Sequence, residues 1–102
     1  MTTTQLLRRI TARFGVSPAA INEGQCQEWA WAVKQKVPEA EVWETDWDQS
    51  PICHYFVKIG KKFYDAEASS GVRDWKLLPL FLQEPGTEGV YRISDRMTVK
   101  ET

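Results

Sequence analysis

One histidine and two cysteines are all that 102 residues offer for soft-metal or thiol chemistry. A structural zinc site needs four nitrogen or sulfur ligands, usually paired along the chain, and His54, Cys26 and Cys53 do not make such a set. No glycine-rich loop of phosphate-cradling spacing is present. Charge of one sign is missing too, since 13 basic residues face 14 acidic ones for a net charge of −1. A chain without a positive field has little to attract nucleic acid or an anionic membrane. No apolar run approaches the ~20 residues of a membrane span, and Met1 to Ile10 carries no apolar stretch of signal-peptide length. Two cysteines in such a chain are expected as free thiols in a reducing, cytoplasmic compartment. Neither internal repeats nor low-complexity segments break the chain, so residues 1–102 are expected to form one domain, with a loose polar tail over residues 95–102.

What is abundant is tryptophan, with Trp29, Trp31, Trp43, Trp47 and Trp75. Such rings usually end in cores, clefts or interfaces. Leu6, Leu7, Ile10 and Phe14 recur at helical spacing and Gly15 follows, which predicts a helix from about Thr4 to Phe14. Ser17 before Pro18 has the form of an N-cap and first helical position, opening a short turn to Gly24. Gln25 to Val37 is free of glycine and proline and is closed by Pro38, so a second helix is expected there, with Ala30, Val33 and Val37 on its inner stripe.

Beyond Pro38 the period changes to two. Val42 to Trp47 is expected as a strand, Ile52 to Ile59 as the clearest one, and Lys62 to Ala66 as its partner across a two-residue loop, Gly60 and Lys61. Gly89 to Ser94 would be a last edge strand. Glu39, Glu41, Glu44, Asp46 and Asp48 alternate with apolar residues and are expected on a solvated strand face. Cys53 is expected in the core, and at least one of Trp43 and Trp47 beside it. The whole describes an α+β protein in which N-terminal helices pack on a small antiparallel sheet.

Cys26 falls in the first turn of its helix, where free backbone N–H groups and the helix dipole favour a thiolate. A thiol nucleophile needs a neighbour that takes its proton near neutral pH, and His54 has no competitor for that role. A two-residue loop pairs Phe56 with Asp65 and His54 with Glu67, placing all four on one face. His54 then lies diagonal to Asp65 at about 7 Å between backbones, a gap side chains can bridge. Asp65 could orient the imidazole, and Glu67, directly opposite, is its rival.

These residues resemble a known pattern. Gly24-Gln25-Cys26-Gln27-Glu28-Trp29-Ala30 is similar to the G-x-C-x-x-aromatic-small segment of the transglutaminase-like core, His54-Tyr55-Phe56-Val57 to its histidine strand, and Phe63-Tyr64-Asp65-Ala66 to its aspartate strand. The resemblance spans Gly24 to Ala66, under half the chain, in the order of that family. It implies Cys26 as nucleophile, His54 as base, Asp65 as the orienting residue, and no metal or other cofactor. The related papain-like peptidases use a glutamine upstream of the cysteine as an oxyanion donor. Gln25 sits closer to Cys26 than that pattern places it, so the Cys26 backbone N–H is the better donor. The expected function is a cysteine-dependent amide hydrolase acting on a protein or peptide through a thioester. The alternative is a catalytically silent binding module or inhibitor on the same fold, with Trp47 lining its cleft.

Overall fold

The computed structural model describes residues 1–93. Ser94 and the expected tail, residues 95–102, lie outside the described residues. Helix α1 (Thr3–Ala12) opens on a capping box in which the Thr2 hydroxyl accepts from the Gln5 N–H and the Gln5 side chain accepts from the Thr2 N–H. Its buried face is Leu7, Ile10 and Thr11. Gly15, with φ of 72°, turns the chain out of this helix. The Ser17 hydroxyl then caps α2 (Pro18–Gly24) by accepting from Ala20 N–H, with proline at the first helical position. The expected turn is thus a short helix. Gln25, at φ −131° and ψ 20°, breaks the chain between it and α3 (Cys26–Lys36).

Four strands follow: β1 (Glu41–Thr45), β2 (Tyr55–Ile59), β3 (Lys62–Tyr64) and β4 (Val90–Arg92). They form one sheet in the order β3-β2-β1-β4, every neighbour antiparallel. All four are shorter than their sequence patterns. Trp47 leaves β1 for a 3₁₀ turn, Trp47–Gln49, because Asp46 caps that turn through the Asp48 N–H. Ile52 to His54 are not ladder residues. Side chains hold their N–H groups, Ser50 that of Ile52 and Thr45 that of His54, while the His54 carbonyl accepts from the Thr45 N–H. Pro79 stands at the first position of helix α4 (Pro79–Gln83).

The sheet separates two cores. One face packs under α1 to α3 with Leu7, Ile10, Ile21, Trp29, Val33, Val42 and Val57 buried. The other is aromatic, with Phe56, Leu78 and Phe81 buried and Trp43, Phe63 and Trp75 packed around them. The fold is therefore α+β, helices on an antiparallel sheet. Among the described residues no helix is long and apolar enough to cross a membrane.

Candidate active site

The β2–β3 hairpin positions the chemistry. Its loop has positive φ at Gly60, 63°, and at no non-glycine residue, which is the signature of a II′ turn with glycine first. The resulting register, Ile59 with Lys62, Lys58 with Phe63 and Val57 with Tyr64, is the one a two-residue loop sets. Extended past the ladder, it brings His54 and Asp65 together on the aromatic face.

Their side chains meet with Nε2 of His54 3.0 Å from Oδ2 of Asp65, both residues 0% exposed. A carboxylate only accepts, so in the neutral ring Nε2 carries the hydrogen and Nδ1 keeps a lone pair. The other carboxylate oxygen, Oδ1, accepts from the backbone N–H groups of Glu67 and Ala68, both at 2.9 Å. Asp65 is thus fixed from both sides. His54 is fixed by its backbone bonds to Thr45 and by the rings of Phe56 and Phe81, whose centroids lie 6.0 and 5.5 Å away.

Nδ1 is buried and faces no partner at full hydrogen-bond geometry among the described residues. The Cys26 thiol nevertheless acts on this ring. Burial is the largest influence and pushes the imidazole pKa down. Hydrogen bonding to Asp65, then to Cys26, then the charges of both outweigh it, so the pKa lies above the ordinary histidine value. No full hydrogen bond to Nδ1 is formed among the described residues, and thiol–imidazole bonds of catalytic sites commonly tighten only once a substrate is seated. Cys26 is half-buried at the start of α3, and no side chain caps that helix end.

The remaining expected residues separate. Gln25 is exposed and does not cap α3. Glu67 is exposed and turned away from His54, its Oε1 accepting from Nδ2 of the buried Asn22 at 2.9 Å. The rival orienter is instead a brace between α2 and the loop after β3. Trp47 is 68% exposed, its indole N–H donating to Glu44 at 3.4 Å.

Two expectations are corrected. Cys53 is exposed, not in the core, and sits beyond the end of β2, outside the ladder that packs against the helices. Burial first, then the charges of Glu44 and Cys26, still push its thiol pKa up. Glu44 is buried at 5% exposure, not solvated, because its side of β1 turns toward α3 and accepts from Tyr91 Oη at 2.6 Å. Thr45 and Glu44 are the site neighbours that sequence patterning missed. The signal for Glu44, a tyrosine directly opposite on each flank, becomes readable only once the strand register is known.

No group of three His, Cys, Asp or Glu side chains able to hold a metal ion occurs among the described residues. Compared with family models, with curated proteins and with solved structures, the chain matches none. Its chemistry therefore rests on the residues themselves.

Proposed function

We propose that this protein is a cysteine-dependent amide hydrolase acting on a peptide or protein in a cytoplasmic, reducing compartment. The observation that carries the reading is the buried His54–Asp65 pair, 3.0 Å apart, whose second ring nitrogen has no hydrogen-bond partner among the described residues. Buried side-chain nitrogens are mostly hydrogen-bonded, so an unpartnered one beside a fixed carboxylate favours a chemical role. The order of the three segments, with its resemblance to the transglutaminase-like core, and two unpaired thiols support it.

In this mechanism Nδ1 of His54 takes the Cys26 proton as the sulfur attacks the amide carbon. The carbonyl π electrons move to oxygen, which is met by the Cys26 backbone N–H at the helix start. As the tetrahedral carbon re-forms its carbonyl, the C–N bond breaks and the imidazolium gives its proton to the departing amine, leaving a thioester. Water, deprotonated by Nδ1, adds to that carbon, the C–S bond breaks, and the thiol regains its proton from the ring. Asp65 holds Nε2–H throughout and stabilises the imidazolium.

The test uses p-nitrophenyl acetate. Wild type should release p-nitrophenolate and show an acetyl group on Cys26 by mass spectrometry, and Cys26→Ala should show neither. His54→Ala should be slowed on the order of 100-fold or more. Equal release by wild type and a folded Cys26→Ala protein would return the chain to the second reading, a binding module, which the exposed ring of Trp47 favours.

A further inference from the structure

Glu44 is the one buried group near the site that the mechanism above leaves unused. The short reversal after α3, Val37 to Ala40, sends β1 back against the helix, and at the end of β1 the charges of Glu44 and Cys26 both reach the Cys53 thiol. At that level three residues form one row across the sheet, Tyr55, Glu44 and Tyr91, each directly opposite the next. Tyr55 adjoins His54 in the chain and points to the other face, so this row lies on the helix side of the sheet and His54 on the aromatic side.

The carboxylate is held by neutral donors, Tyr91 Oη at 2.6 Å on one oxygen and Trp47 Nε1 at 3.4 Å on the other. Hydrogen bonding to Glu44, after burial, also pushes the Tyr55 phenol pKa up. Among the described residues the ion pairs are His54 with Asp65 and Arg92 with Glu41, and no lysine or arginine pairs with Glu44. A carboxylate at 5% exposure without a cation is costly unless something compensates it. The longer of these two bonds also holds Trp47, a large ring kept in solvent with its N–H turned inward. An exposed indole bonded to a carboxylate that has no cationic partner among the described residues is a receptor for a cation, which it meets through the ring face and through charge.

We propose that Glu44 and Trp47, backed by Tyr55 and Tyr91, form a subsite that selects amide substrates carrying an ammonium or guanidinium group beside the reacting carbonyl. This assignment rests on Cys26 being the nucleophile. The cationic side chain lies along Trp47 and directs its charge at Glu44, which sets the carbonyl at Cys26 and leaves His54 free on the opposite side.

The experiment alkylates Cys26 with two chloroacetamides of equal length, one of cadaverine with a free ammonium group and one of pentylamine, and divides each rate by that protein's own iodoacetamide rate. Wild type should favour the cationic probe about tenfold, less in high salt. Glu44→Gln, which keeps the shape and removes the charge, should bring the ratio to about one, and Trp47→Ala should lower it about threefold. A thermal melt confirms the fold of each variant. If Glu44→Gln does not fold, the exposed Trp47→Ala decides alone. A ratio near one in wild type, or an undiminished ratio in the folded variants, overturns the subsite while leaving the nucleophile intact. A Cys26 inert to all three reagents overturns the hydrolase reading and this assignment with it.

Discussion

Each face of the sheet buries one ring N–H against an oxygen, and the two contacts are nearly the same length. Under the helices Trp29 Nε1 donates to Thr11 Oγ1 at 2.9 Å; on the aromatic face His54 Nε2 meets Asp65 Oδ2 at 3.0 Å. Geometry does not distinguish them. Their chemistry does, because an indole and a hydroxyl stay neutral at every ordinary pH, whereas an imidazole and a carboxylate titrate. The surroundings differ accordingly. Aliphatic side chains fill the space around Trp29, and rings surround His54, with Phe81 edge-on to both His54 and Trp75. A neutral pair can be sealed by hydrocarbon, but a ring that must carry a proton is better housed among aromatic groups, whose faces tolerate positive charge. One face encloses a neutral contact and the other a titratable one.

Breaking the helix-side core should have the largest effect. Trp29 is 1% exposed and central to its cluster, so Trp29→Ala should cost about 4 kcal/mol from lost burial and the cavity left behind. A urea melt measures it. If the two faces divide their tasks, the fraction that stays folded should keep the wild-type His54 titration. A His54 shift in the folded fraction would show the faces to be coupled.

Asp65→Asn strikes the other contact and should cost less, about 2 kcal/mol, since the one amide oxygen can still accept from the backbone N–H groups while the NH2 donates to Nε2 of the other ring tautomer. Its distinctive effect is on titration. Asp65 raises the His54 pKa by hydrogen bond and charge, so the variant's imidazole should titrate lower than the wild type's by NMR. The sign for stability follows from the same shift. A folded pKa above the unfolded 6.5 means that protonated His54 favours the folded state. That contribution is complete below pH 6.5 and fades as pH rises through the folded pKa. Melts of wild type against His54→Gln across that window should converge toward high pH, and a gap that widens would contradict the raised pKa.

Much of this was legible from the chain. Gly60 and Lys61 set the hairpin register, and that register alone puts His54 and Asp65 on one face, which is why the pair could be anticipated. Glu44 was not legible, because an acid alternating with apolar residues looks the same whether its face meets water or the end of a helix. Cys53 shows the complementary failure. Strand parity gives a face but not whether anything covers it, and the strand expected over Ile52 to His54 is replaced by side-chain bonds from Ser50 and Thr45. Pairing over long sequence separations decides such cases, and a local pattern does not contain it.

The smallest expected effect is the most exacting for the comparison. Thr11 Oγ1 accepts from Trp29 Nε1 and donates to the Leu7 carbonyl at 2.8 Å, so one hydroxyl links α1 to α3. Thr11→Val keeps the shape, and the Leu7 carbonyl retains its place in the helix, but the indole N–H is left buried with no acceptor. The expected loss is about 1 kcal/mol, the usual cost of one unsatisfied neutral donor. Asp65→Asn and Thr11→Val therefore weaken two contacts of equal length on opposite faces of one sheet. The first should alter the titration of His54 and the alkylation of Cys26 by iodoacetamide as well as the melt. The second should alter the melt alone, since nothing in the neutral pair carries a proton to the site. If Thr11→Val slows Cys26 alkylation by more than its small destabilisation explains, the helix carrying Cys26 is held in register by that hydroxyl, and the division between a structural face and a chemical face fails.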